Sequence, residues 1–142
     1  MHKLLIPIDG SDNSMRALRY ALRIAKEIGP MQLHLLTVHP EPAIYGEIQV
    51  YVSADKMKEL QDLHSKDLQR SAIEAADTAG VAFQSEIATG DPAVTIARRA
   101  NELGCDAIVM GTRGMSAIGN LIMGSIATKV VHLAEMPVTL VK

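Results

Sequence analysis

Three glycines and a serine in the last third of the chain have a spacing suited to binding an anion. From Gly111 the sequence reads G-x2-G-x9-G-S, through Gly114 and Gly124 to Ser125. A polyphosphate is best held by convergent backbone N–H groups, with no Cβ in the way and a helix N-terminus nearby. Each glycine alone is typical of a tight turn, but nine intervening residues could leave and return, since they span about 30 Å when extended. The combined spacing therefore predicts two groups of amides around one phosphate chain.

Two charged residues belong with this segment. Arg113 could add a cation beside the phosphates. Asp9 directly follows an apolar run, and its carboxylate could accept hydrogen bonds from an adenine amine or a ribose hydroxyl. It could equally fix the turn with Gly10 and Ser11 or cap the next helix, and the two roles are compatible.

Other catalytic or metal-binding signatures are absent from the sequence. It contains no G-x4-G-K-[ST], G-x-G-x-x-G or H-E-x-x-H pattern. The histidines have no metal-ligand spacing, and structural roles are expected for His34 in a strand and for His64 and His132 in helices. Cys105 is interpreted as a small buried filler. Met110 precedes the glycine segment and is a candidate for lining the binding site, with core packing as the alternative interpretation.

Length and composition favour one globular domain over residues 1–142. Apolar residues make up 48% of the chain, charged residues 21%, and the formal net charge is −2. No basic excess is available for nucleic acid or an anionic membrane, so neither partner is expected. The single cysteine favours a reducing compartment, and Pro7 and Asp9 interrupt any signal-peptide core. A cytoplasmic protein is expected.

Short apolar runs alternate with segments of helical period. The runs are typical of strands buried on both faces of a parallel sheet. Helix starts are predicted at Ser11 or Asp12 and at Asp91-Pro92, and Gly29, Gly80 and Gly104 are predicted left-handed helix terminators. The predicted strands are Lys3–Asp9, Gln32–Val38, Val81–Ile87, Ala107–Met110 and Val138–Val141, and the helical segments are 15–28, 57–79, 93–103 and 126–134.

This alternation predicts an α/β fold with a five-stranded parallel sheet and helices on both faces. Ligands of such sheets bind at the carboxyl ends of the strands, where two loops diverge. The loops after the first and fourth strands are therefore the expected site. The irregular segment 39–53 is expected to be a loop that packs on the domain.

The chain resembles the universal stress protein family over its whole length. The resemblance rests on the opening segment Lys3–Ser11, the closing segment Pro137–Val141, the G-x2-G-x9-G-[ST] glycine pattern and the turn Thr89–Pro92. It implies a Rossmann-like sheet in the order 3-2-1-4-5. It also implies a homodimer formed by antiparallel pairing of the last strands, Val138–Val141, which would otherwise be an exposed edge.

The resemblance also implies an ATP site. Asp9 and the backbone of Val38 would hold adenine, with Pro7 and Ile8 nearby. A Mg²⁺ or Mn²⁺ ion could accompany the nucleotide through phosphate oxygens and water. The phosphates would be surrounded by Gly111, Arg113, Gly114, Gly124, Ser125 and Ile126.

The function expected from these observations is that of an ATP-binding regulatory protein of the stress response, in which nucleotide occupancy modulates a homodimer. One alternative is an enzyme that hydrolyses ATP slowly, although no general base is apparent near the phosphate segment. Another is a dimerisation module without nucleotide, which the intact glycine set disfavours.

Overall fold

The computed structural model describes residues 2–40, 54–112 and 123–142 of the chain. Within these ranges strands and helices alternate strictly. The strands are β1 (His2–Pro7), β2 (Met31–His39), β3 (Ala82–Thr89), β4 (Ala107–Gly111) and β5 (Val138–Val141). The helices are α1 (Asp12–Ile28), α2 (Ala54–Ala79), α3 (Pro92–Glu102) and α4 (Ser125–Leu133).

The strands form one parallel sheet in the order β3-β2-β1-β4-β5. The predicted fold class and strand order are therefore confirmed. In the middle of the sheet Leu4 of β1 lies opposite Leu33 of β2 and Ala107 of β4. The direction in which successive strands are added to the sheet reverses at β1. Helix α1 leads to β2 on one side of β1, and α3 leads to β4 on the other side.

Alternate residues of β1 point into two separate cores. Leu4 and Ile6 pack on one face with Ala17 and Leu18 of α1 and Ala72 of α2. Leu5, which is fully buried, packs on the opposite face. A strand covered on both faces has no solvent side, and this explains why the sequence of β1 is continuously apolar.

The second core lies between the sheet and α3 and α4. Ile108 and Met110 of β4 pack there against Ile96 of α3 and Val130 of α4. At these helix positions the buried side chains are mostly small or branched, which lets the helices lie close to the sheet. The two cores together hold the carboxyl ends of β1, β2 and β4 at one edge.

Helix starts follow the predicted capping residues. Ser11 caps α1 by accepting the Ser14 N–H at 3.1 Å, and Asp91 caps α3 ahead of Pro92. Gly80 and Gly104 have positive φ angles of 69° and 66°, as expected at helix ends. The prediction for Gly29 was wrong in detail, because φ 116° and ψ −161° lie outside the left-handed helical region.

Strand ends differ from the predicted ones by one or two residues. β1 ends at Pro7 instead of Asp9, because Gly10 turns the chain with a φ of 81°. β2 continues to His39, which the sequence had assigned to the following loop. The rest of that loop, 41–53, lies outside the described residues.

Candidate functional site

A cavity of about 400 Å³ opens at the carboxyl edge of the sheet. It lies between the ends of β1, β2 and β4 and is walled by α2, α3 and α4. Two predicted site residues, Arg113 and Gly114, lie outside the described residues. The structure brings the other predicted residues together in the cavity lining: Pro7, Ile8, Asp9, Val38, Met110, Gly111, Gly124, Ser125 and Ile126.

At the cavity, strand β2 extends further than its neighbour β1. Their last paired residues are Pro7 and Leu36, and beyond them β2 continues beside β3 alone through residues 37–39. The Ile8 N–H donates to the Leu36 carbonyl at 2.8 Å, and the Thr37 hydroxyl donates to the Ile8 carbonyl at 2.8 Å. These bonds fix the offset between the two strands, so Val38, which lines the cavity, is paired with β3 but with no residue of β1.

Asp9 has a structural role that uses one carboxylate oxygen. Oδ1 accepts the Ser11 N–H at 2.9 Å and the Ser11 hydroxyl at 2.5 Å, which closes the turn after β1. Oδ2 accepts no hydrogen bond from residues 2–40, 54–112 or 123–142. The turn-fixing role proposed from the sequence is therefore present. Asp9 is half-buried and lines the cavity, so its Oδ2 is available to accept a hydrogen bond there.

Gly111 is required by packing. A Cβ at this position would lie 2.8 Å from Cβ of Asn13 and 2.9 Å from its backbone C and O. Side chains do not approach this closely, so α1 can contact the end of β4 only because residue 111 is glycine. The sequence had assigned this glycine to phosphate binding, and the close approach of α1 is a separate reason for it.

The chain leaves and re-enters the sheet edge at nearly the same point. The Gly124 N–H donates to the carbonyl of Thr112 at 2.5 Å, and the Thr112 N–H donates to the carbonyl of Val141 at 3.1 Å. The beginning and the end of the glycine segment are thus hydrogen-bonded to each other. Because the Gly124 amide is used in this bond, the unpaired amides at the start of α4 belong to the residues that follow it.

Helix α4 begins at the cavity without a side-chain cap. Its N-cap is Gly124, and the first bond within the helix runs from the Thr128 N–H to the Gly124 carbonyl at 3.0 Å. The N–H groups of Ser125, Ile126 and Ala127 come before that bond and have no carbonyl within the helix. All three residues line the cavity. Their amides and the positive end of the helix dipole suit an anion of phosphate type.

The opposite end of the cavity is formed by β2 and α2. His39, Pro40, His64 and Leu68 line it, and none of them was predicted as a site residue. His64 resembles any polar residue on an exposed helix face, so the sequence carried no signal for it. His39 could have been found only by extending β2 to its true end.

The described residues include no group of three or more His, Cys, Asp or Glu side chains arranged to hold a metal ion. Among the same residues, no helix is both long enough and apolar enough to cross a membrane.

Comparison with known proteins identifies the family. The model of the universal stress protein family matches residues 1–142. The chain belongs to the universal stress protein family. Universal stress protein YxiE of Bacillus subtilis is 34% identical over 147 residues, and the match covers 99% of each protein.

Solved structures of universal stress proteins have the same architecture. UspA from Lactobacillus plantarum superposes with a TM-score of 0.85 at 25% identity, covering 99% of this chain and 97% of that one. A family member from Arabidopsis thaliana, solved with AMP bound, superposes with a TM-score of 0.70 over 100% of this chain and 92% of that one. At 22% identity that second likeness shows a shared fold only.

Proposed function

We propose that this universal stress protein is a cytoplasmic regulatory protein that binds ATP within a single domain, residues 1–142, and that nucleotide occupancy modulates a homodimer. The observation that carries the proposal is the uncapped start of α4, whose first amides open into a cavity at the end of a parallel sheet. The bound AMP of the Arabidopsis protein supports it only in that a protein of this fold holds an adenine nucleotide.

The cavity offers different chemistry at its two ends. The amides of residues 125–127 suit the phosphates, and Arg113 and Gly114 would add to them from the glycine segment. Asp9 Oδ2 and the Val38 backbone, at the other side, suit the adenine amine and ring nitrogen. Pro7, Ile8 and Met110 contribute apolar lining to the same cavity. A Mg²⁺ or Mn²⁺ ion would bind through phosphate oxygens.

Two hydrogen bonds connect the proposed phosphate end to the edge of the sheet. Thr112 accepts from Gly124 at the start of α4 and donates to Val141 of β5. Within the described residues β5 pairs only with β4, so its outer edge can pair with a second copy of the chain. A phosphate that shifts α4 would act on Thr112 and hence on β5, and this is how we expect nucleotide to modulate the dimer.

A binding experiment tests the nucleotide proposal. The purified protein is denatured to identify any bound nucleotide, then stripped and titrated with ATP by calorimetry. ATP at 100 times its Kd should raise the free energy of unfolding by about 2.7 kcal/mol. Gly124→Val should bind ATP weakly, because a branched side chain would obstruct the start of α4. His132→Ala, a substitution at an exposed position near the other end of α4, is the control.

Equal ATP binding by the parent and Gly124→Val would contradict the phosphate assignment. A sedimentation experiment on the same samples, with and without ATP, measures the dimer. A turnover above about 1 s⁻¹ would favour the alternative of an ATP-hydrolysing enzyme.

A further inference from the structure

Two histidine rings stand together at the β2 end of the cavity. His39 is the last residue of β2, and His64 lies on α2. Their ring centroids are 6.0 Å apart with 29° between the planes, so the rings are stacked. Both residues line the cavity. A pair of flat side chains therefore forms one wall of the site.

The His39 ring is fixed from several directions. Its Nε2 lies 2.8 Å from the Gln61 carbonyl and also contacts the Ser65 hydroxyl, and both partners belong to α2. Its backbone carbonyl accepts the Gly90 N–H at 2.8 Å. Burial lowers the pKa of His39, the His64 ring lowers it further, and Asp62 opposes them. His39 thus joins β2 to α2.

The His64 ring is free to meet a ligand. Its side chain is exposed, and among residues 2–40, 54–112 and 123–142 it has no hydrogen bond or ion pair, only the stack on His39. An aromatic ring that packs against a fixed partner and lines the cavity offers a surface for stacking a flat group.

The position of the histidine pair determines which part of a bound nucleotide it would contact. β2 and β4 are separated by β1 in the sheet, and two strand spacings are about 10 Å. A nucleotide with its phosphates at α4, beside β4, would extend across β1 and place its base beside β2. The histidine pair is therefore at the base end.

We propose that His64, positioned by His39, contacts the nucleobase by stacking and closes the β2 end of the cavity. This inference rests on the proposed nucleotide function. Stacking uses the π face that every base has, so His64 supplies affinity for a base without choosing among bases. The choice of adenine would come from Asp9 and the Val38 backbone.

The test compares a ligand that has a base with one that lacks it. Nucleotide-stripped protein is titrated with ATP and with inorganic tripolyphosphate. His64→Ala should weaken ATP binding about tenfold, equivalent to about 1.4 kcal/mol, and leave tripolyphosphate binding unchanged. His64→Phe should restore ATP binding because it keeps a flat ring. His132→Ala, the same substitution at an exposed position of α4, should bind both ligands like the parent.

A double-mutant cycle tests the positioning role of His39. His39→Ala should weaken ATP binding by a similar factor, and the double variant should be no weaker than either single variant, since both remove the same stack. Additive losses would overturn the positioning role.

Unchanged ATP affinity in His64→Ala would overturn the inference, and so would an equal loss for tripolyphosphate, which would place the effect at the phosphates or on the fold. If the parent protein binds neither ATP nor tripolyphosphate, the nucleotide function itself fails and the inference fails with it. ATP binding that is insensitive to His64 overturns the inference alone.

Discussion

Helices α3 and α4 lie on the same face of the sheet but begin in opposite ways. Asp91 caps α3, its Oδ1 accepting the Val94 N–H at 3.0 Å, and Pro92 occupies the first turn. α4 begins at Gly124 and has no side-chain cap. Lys129, in the middle of α4, lies 3.2 Å from Asp91 Oδ2, so an ion pair joins α4 to the start of α3. One helix satisfies its own amides, and the other leaves them open at a cavity.

This difference separates a structural helix start from a binding one. A capped N-terminus gains stability from its own side chain and has less to offer a ligand. An uncapped N-terminus lacks that stabilisation and keeps its amides and dipole available for an anion. Because the two helices share a core, the contrast depends mainly on the residue at the N-cap.

The largest effect is expected from a charged N-cap residue on α4, which would remove the difference between the starts of α3 and α4. The backbone of Gly124, with φ −71° and ψ 162°, suits any residue, so Gly124→Asp should be tolerated. Its carboxylate would bind the first amides and repel a triphosphate. We expect ATP affinity to fall by more than about 100-fold, about 3 kcal/mol, without loss of thermal stability. Calorimetric titration measures the affinity.

Gly124→Asn is the matched control, since it supplies a capping oxygen without the charge. It should weaken ATP binding less than Gly124→Asp does. If Gly124→Asp binds ATP as the parent does, α4 is not the phosphate site.

A second comparison concerns two glycines of the same motif. Gly111 is in contact with the backbone of Asn13, so Gly111→Ala should force α1 away from β4. We expect a loss of about 1–3 kcal/mol in the free energy of unfolding, measured by urea denaturation. Gly124→Ala, at an ordinary φ, should lose less. If Gly111→Ala loses no more than Gly124→Ala, the close approach of α1 adds no cost and the packing role of Gly111 is wrong.

The smallest expected effect comes from uncapping α3. Hydrogen bonds from the Val94 N–H and from Lys129 lower the pKa of Asp91. The stabilisation is therefore fully present above the unfolded-state pKa, about 3.9, and is lost as the pH falls through the lower folded-state pKa. Asp91→Ala should lower the thermal midpoint slightly at pH 7, and the difference from the parent should shrink in acid.

ATP affinity should not change in Asp91→Ala, because this cap serves α3. A loss of affinity as large as that of Gly124→Asp would mean that both helix starts contribute to the site, and the contrast between them would be wrong.

The sequence predicted the fold better than the site. Continuous apolar runs and capping residues such as Asp91 are local signals, and they located the strands and helix starts. The end of β1 was misplaced because Ile8 prolongs the apolar run past the point where Gly10 turns the chain. The roles of Gly111 and Gly124 depend on contacts with Asn13 and Thr112, which no local pattern contains.

The histidine pair also could not be predicted from a local sequence pattern. His64 lies on an exposed face of α2, where a polar residue normally needs no explanation. Only the path of α2 past the end of β2 brings it to His39 and the cavity.

The unequal lengths of β1 and β2 have a consequence for how this site can change. Beyond the end of β1, a ligand in the cavity would contact peptide groups of β2. Peptide N–H and C=O groups are the same whichever amino acids carry them. Substitutions of Val38 would alter the shape of the opening but not those donors and acceptors. Inserting or deleting a residue before Thr37 would shift them all at once, so Val38 should tolerate replacement far better than this strand tolerates a change in length.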